Sequence, residues 1–542
     1  MASLNQKTSV LGKRLAAHLL KRTTYHITKQ RVETFAMLTP TQAIDQLFVP
    51  YTFGIDEPED YELGGPWLTN GATPILSTSK RRNIVRGWWL NEVRQDTSIV
   101  SKMQFMLHTN FVTATKGFGN DYHFFFHLAL LRFYALGNFK TLAKKIALDN
   151  LMLIYLDNRY NLKDSPNENF AREFLELFTI GKGEQIEVGN YTNYTEYDIQ
   201  QAAKVLTGFR TSSNDDIGVV ADADTGIFKG KNVFNQHDLD DKTFSAAFQN
   251  TTITAATDAD DMDREWSDFV EMVFAQAETA KTFVRKIYRF FVSRHIDAEI
   301  ETDIIEPLSD VFRNNDYEIA PVLRQLLESE HFYDEDDADS NDEIIGGMIK
   351  SPLELVLGTM NWFGIQPPDL AADAKEYYIG FYSGAVINTM MTLTNLNLFN
   401  PPDVAGYPAY YQAPDYHRAW FNTTSIIGRY KMPEMFLTGK RIIVGGNLGG
   451  VTFDVMPWIV ANISAPADAT ILVTEMLDSL IPEISSTERF DYFLNVLLDD
   501  LSPINWQFEW QNFENTNDDT AVRIPLENLF RAITVSQEYQ LM

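Results

Sequence analysis

A chain of 542 residues, 45% hydrophobic and 13% aromatic, can bury a large core and is expected to form more than one domain. Its net charge of −29 repels nucleic-acid phosphates and anionic membranes, which excludes nucleic acid as a partner. It has no cysteine, which excludes disulfides, thiolate metal sites and cysteine nucleophiles.

Met1 to Arg22 is basic, and amphipathic around Leu11, Leu15, Leu19 and Leu20. It lacks the continuous apolar region and cleavage site of a secretory signal. No apolar run reaches the ~18 residues of a membrane-spanning helix. The chain is therefore expected to carry no transmembrane segment. It is expected in the cytoplasm if Met1 is the native start, with export or the cell surface as the alternative. Lys13, Arg14, Lys21 and Arg22 read as part of a first helix packed on the core rather than as a membrane-surface patch.

Thr39-Pro40-Thr41-Gln42 is a capping box that opens a helix through Ala43, Leu47 and Phe48. Residues 54–79 read as a long loop. Residues 82–111, 121–135 and 139–155 read as helices, with Gly137-Asn138 as a turn. Ser165 to Gly181 has both ends of a helix written in. Ser165 is the expected N-cap, Pro166 the first helical residue, Glu168 the acid of a capping box and Gly181 the left-handed stop. Phe170, Phe174, Leu177 and Phe178 form a buried stripe. Asn169, Arg172, Glu173 and Glu176 form a polar one.

Tyr194-Thr195-Glu196 caps a helix that runs to Leu206 and ends at Gly208. Residues 210–244, rich in Gly, Asp and Asn, read as one or two β-hairpins. Helices resume near Asp261 and continue to His331, and residues 334–343 are an acidic loop. Ser351-Pro352-Leu353-Glu354 starts another capped helix, to about Trp362. Residues 400–414 are a Pro- and Tyr-rich loop. Ile442, Ile443 and Val444 before Gly445-Gly446 read as a hairpin, and a last helix covers about 525–535. The fold class is mainly α, a multi-helix globular protein with a small inserted β-hairpin region. The expected division is an N-terminal helical domain (1–210), a hairpin insertion (211–250) and a C-terminal helical domain (251–542).

Several segments carry a resemblance. They include Leu19-Leu20-Lys21-Arg22, Trp88-Trp89-Leu90, the run from Lys102-Met103 to Phe111, and Tyr155-Leu156-Asp157-Asn158. The capped run Pro166 to Gly181, Lys350-Ser351-Pro352-Leu353-Glu354, Trp420-Phe421-Asn422-Thr423 and Ser536-Gln537-Glu538-Tyr539-Gln540 follow. The most specific are Pro166-Asn167-Glu168-Asn169-Phe170-Ala171-Arg172-Glu173 and Pro401-Pro402-Asp403-Val404-Ala405-Gly406. In these the chain resembles the bacterial family called domain of unknown function 1800. It departs from that pattern at Leu107-His108-Thr109-Asn110-Phe111, where members typically show Trp-His-Asn-His-Phe. It departs again at Tyr407 and Tyr134, where they show Trp and His. The resemblance implies no established activity. Members are often exported and often encoded beside a second uncharacterised family that resembles sulfatases, so it implies a sulfatase-like companion protein as a partner.

Glu173 and Glu176, with Arg172 beside them, are the candidate catalytic residues, because paired carboxylates suit acid–base work or a divalent cation. Asn167, Glu168, Asn169 and His108 are the binding candidates around them. His237-Asp238 is a candidate metal pair. His123 and His127, spaced i, i+4, read as packing residues, and Asp222-Ala223-Asp224-Thr225-Gly226 as a solvated acidic loop. Asn400, Asp403, Trp420 and Asn422 bracket a loop with Tyr407, Tyr410, Tyr411 and Tyr416 that suits sugar or peptide binding. Two functions stand: a helical binding or scaffold protein engaging a protein or glycan partner, and a metal- or carboxylate-dependent hydrolase. Pairing distinguishes them. If Asn169, Arg172, Glu173 and Glu176 pair off completely, the cluster is structural. If they line an open pocket with His237 and His108, the hydrolase gains.

Overall fold

The computed structural model describes residues 2–49, 57–69, 71–115, 120–336, 344–441, 445–482 and 486–542. Among these residues there are 23 α-helices and four two-stranded antiparallel sheets, so the protein is mainly α. Strand pairs Phe209–Arg210 with Lys231–Asn232 and Lys242–Thr243 with Thr252–Ile253 make up the expected hairpin region. A further hairpin joins Gln185–Glu187 to Asn190–Tyr191. The expected hairpin at Ile442, Ile443 and Val444 and most of the acidic loop at 334–343 lie outside the described residues.

Helix starts follow local cap chemistry. Thr39, Thr195 and Ser351 each form a reciprocal capping box, with Gln42, Asp198 and Glu354, and open helices Pro40–Leu47, Glu196–Val205 and Pro352–Trp362. The long stretch read at 82–111 is two helices, Thr78–Gln95 and Val100–Asn110. The Asp96 carboxylate divides them, because it accepts from the amides of Ser98 and Ser101. In the same way Asp149 caps Asn150–Tyr155 and separates it from Phe139–Ile146. The first helix, Gly12–Thr23, buries its C-terminal half, Lys21 and Arg22 included, as expected of a helix packed on the core.

The buried apolar side chains form one continuous core from Leu11 to Tyr539. Rings dominate it around the site. Phe174 sits 4.9 Å from Trp266, Phe111 5.3 Å from Phe178, and Phe399 4.7 Å from Trp89. Residues Glu376–Met391 form a π-helix packed along Thr78–Gln95. Gly87 permits that approach, since a Cβ there would lie 3.1 Å from the Cβ of Tyr382. No described helix is long and apolar enough to cross a membrane.

Candidate functional site

The run at Ser165 departs from its expected cap. The helix begins at Asn169, not Pro166, and Ser165 caps nothing. Ser165 N–H donates to the Leu162 carbonyl, closing a tight turn, and the Asn161 side chain accepts from Asn167 N–H at 2.8 Å. Pro166 also disfavours a helical residue before it. The chain is thus held extended until Asn167, whose Oδ1 accepts from Asn169 N–H at 3.0 Å. Glu168 closes no capping box and pairs with Arg172 at 3.1 Å instead. After Glu173 the helix widens into a π-turn, Phe174–Phe178, a feature enriched at functional sites. Gly181, at φ +75°, ends it as expected.

The polar stripe does not pair off completely. Arg172 donates to Glu196 at 2.9 Å as well as to Glu168. Asn169 donates to the Leu156 carbonyl at 3.2 Å. Glu176 forms an ion pair with Lys182 and accepts from the Tyr194 hydroxyl at 3.3 Å. Glu173 is different. It is 9% exposed and has no hydrogen bond or ion pair among the described residues. Burial pushes its carboxyl up to about 7, and the neighbouring charge of Glu176 adds to this. Asp403 also reaches it, and Glu173 and Asp403 together act on the Tyr155 hydroxyl.

Two cavities flank the segment after Asp403. The larger, about 580 Å³, is lined by Tyr155, Asn395, Asn397, Asn400, Asp403, Tyr407 and Trp420 among others. The smaller, about 110 Å³, is lined by Asn110, Glu176, Lys286, Arg289, Tyr410 and Tyr411. Val404 and Ala409 belong to both walls. Lys286 Nζ donates to Asn110 Oδ1 at 2.6 Å and to the Leu177 carbonyl, so it caps the end of the π-turn. Burial pushes Lys286 down to about 7, with Arg289 contributing.

The other expected site residues are placed as follows. Asn400 accepts from Thr115 at 3.1 Å, and Asp403 accepts from Ala405 N–H at 3.0 Å. Asn422 lies outside the cleft wall and accepts from the amides of Thr424 and Ser425 at the start of helix Ser425–Thr438. His108 is buried against Phe105, Phe399 and His127, and neither ring nitrogen has a partner among the described residues. Burial pushes it down to about 3, so it is neutral. His127 pairs with Asp149 at 3.1 Å, and His123 stacks on Phe228. His237 stands apart from the cleft. Its Nδ1 faces the Thr207 carbonyl at 2.8 Å and its Nε2 the Glu265 carboxylate at 3.0 Å. Lys242 joins Glu265 to Asp238, at 2.8 and 3.3 Å. Among the described residues no three His, Asp or Glu side chains form a metal-ligand group. The sequence reading missed Tyr155, Asn395, Asn397 and Lys286. Asn395 adopts φ +76°, a constrained loop backbone that only the structure shows.

This fold and site define a helical protein whose cleft is lined by amides and aromatic rings, with a carboxyl that has no partner among the described residues buried within electrostatic reach of Asp403 in its wall. The chain belongs to the DUF1800 family: the family model, described as "Protein of unknown function (DUF1800)", matches residues 18–541. No curated protein and no solved structure matches it. Four of the segments that carry the resemblance contribute to these walls, through Tyr155, Glu176 and Leu177, residues 400–405, and Trp420.

Proposed function

We propose that the protein binds a glycan in the 580 Å³ cleft. The supporting observation is its lining. Three Asn side chains and Asp403 offer paired donors and acceptors of the kind sugar hydroxyls use, and half-buried Tyr155 offers ring surface, while the buried rings of Tyr407 and Trp420 back the wall. Asn395 and Asn397 are exposed. A concave site of this volume suits a small extended ligand better than a flat protein face does. The test is a glycan array followed by calorimetric titration of the best hit. Asn397→Ala and Asp403→Asn should each weaken binding about tenfold while leaving the melting temperature unchanged, which corresponds to the ~1–1.5 kcal/mol of one or two hydrogen bonds. Unchanged affinity in both variants would refute the cleft as the binding site.

The unpaired Glu173 favours a second reading, a carboxylate-dependent hydrolase acting on the same ligand. Glu173 would give its proton to the leaving oxygen while Asp403 takes one from the attacking water. Glu173→Gln would then abolish release of reducing ends and leave binding intact.

A further inference from the structure

Away from the cleft the molecule buries an excess of positive charge. Lys21, Arg22, Lys102, Lys350 and Arg429 are all less than 8% exposed. They act on one another through space. Arg22 lowers Lys21 and Lys102, and Lys21 and Arg429 lower Lys350. The carboxylate at their centre is Glu354, and it is already committed. It pairs with Lys102 at 2.5 Å and takes the Ser351 amide in its capping box. Asp334 reaches Arg22 electrostatically, but its oxygens accept from the amides of Ile344 and Ile345.

Two of the five cations are provided for. Lys102 has Glu354, and Arg429 donates to Trp420 O, Gln540 Oε1 and Lys350 O. Among the described residues the other three have one carbonyl each. Lys21 Nζ donates to Leu480 O at 3.1 Å, Arg22 Nη2 to Ile344 O at 2.6 Å and Lys350 Nζ to Tyr539 O at 2.5 Å. Lys350 also lies over the Tyr539 ring at 3.8 Å. Arg22 Nε and Nη1 are buried with no partner among the described residues. Ammonium and guanidinium groups taken from water without a counter-charge cost several kcal/mol each. Burial pushes Lys21 down to about 7 and Lys350 well below its ordinary value, which measures the same deficit.

There is room for what is missing. A cavity of about 280 Å³ is lined by Arg14, His18 and Lys21, by apolar Leu477, Ile481 and Pro482, and by Asp478, whose carboxylate is already paired with Lys13 at 2.7 Å. A crevice of about 30 Å³ between Lys21, Lys350 and Glu354 adjoins it, and Lys21 and Met542 lie in both walls. The larger cavity exceeds the roughly 30 Å³ of a single water several-fold.

We propose that Lys21, which lines both voids, with Lys350 in the crevice and Arg22 behind them, forms a binding site for a small oxyanion, phosphate or sulfate, free or as the end group of a larger ligand whose apolar body meets Leu477 and Ile481. The site is independent of the glycan cleft, so neither proposal stands or falls with the other. The anion supplies the counter-charge that holds helix Gly12–Thr23, Lys350 and the last turn around Tyr539 together.

The test uses the whole protein exchanged into chloride buffer. Sodium phosphate and sodium sulfate are titrated against sodium chloride at matched ionic strength, and melting temperature and calorimetric heat are read. A saturable rise of several degrees with phosphate or sulfate, beyond that in chloride, is expected. Lys21→Met and Lys350→Met should each cut the apparent affinity at least tenfold. Phenyl phosphate binding at least tenfold tighter than phosphate would assign the anion as an end group, and equal binding would assign the free ion. Wild-type protein that shows neither heat nor a shift beyond chloride would overturn the proposal, even if both variants fail to fold. An undiminished response in both variants would also overturn it.

Discussion

Glu173→Gln isolates the charge of a carboxyl that has been taken out of water without a partner. Its ordinary value near 4.5 is pushed up to about 7 in the folded protein. At ~1.4 kcal/mol for each tenfold change, the ionised form costs the native state about 3 kcal/mol. A folded pKa above the unfolded one means that the native state binds the proton more tightly. The stabilisation from the neutral carboxyl is therefore complete below about pH 4.5 and lost as pH rises through about 7. Urea denaturation of wild type and Glu173→Gln at pH 5, 6, 7 and 8 reads this directly. The other titrating groups are shared by both proteins and cancel in the difference. The variant should gain on the wild type by about 3 kcal/mol between pH 5 and pH 8. A difference that stays flat with pH would show that Glu173 is solvated or paired in the folded state. The reason for singling it out as a functional carboxyl would then be gone.

Three further outcomes follow from the same geometry. Glu265→Ala leaves His237 and Lys242 buried without their shared carboxylate and should destabilise by ~3–5 kcal/mol; a loss under ~1 kcal/mol in denaturant titration would contradict the buried network. Arg172→Ala removes a partly exposed pair with Glu196 and Glu168, so it should cost only ~0.2–1 kcal/mol, less at high salt; a large, salt-insensitive loss in the same titration would mean that the pair is buried. Gly208→Ala places a Cβ 2.8 Å from the Val233 carbonyl at φ +81° and should lower stability by ~1–3 kcal/mol, read as a drop in melting temperature; an unchanged melt would contradict that local geometry.

The sequence by itself determined whatever is settled within four or five residues. The caps at Thr39, Thr195 and Ser351, the stop at Gly181 and the helical class are local hydrogen-bond and periodicity statements, and they hold in the structure. Ser165 fails as a cap for the same kind of reason, because the Asn161 side chain and the Leu162 carbonyl compete for that segment and a four-residue motif does not contain them. The site lies further from reach. Which acid of the polar stripe stays unpaired depends on where Glu196 and Lys182 arrive, and both arrive from beyond the helix. Glu173 and Glu176 look alike in sequence, yet only Glu176 meets a lysine. His237-Asp238 looks like an open metal pair until Glu265 and Thr207 close on it. The buried cations are the extreme case. Nothing in the sequence relates Lys21, Lys102 and Lys350 to one another, and only tertiary packing brings them around one carboxylate, because charge balance is a property of a volume and not of a segment.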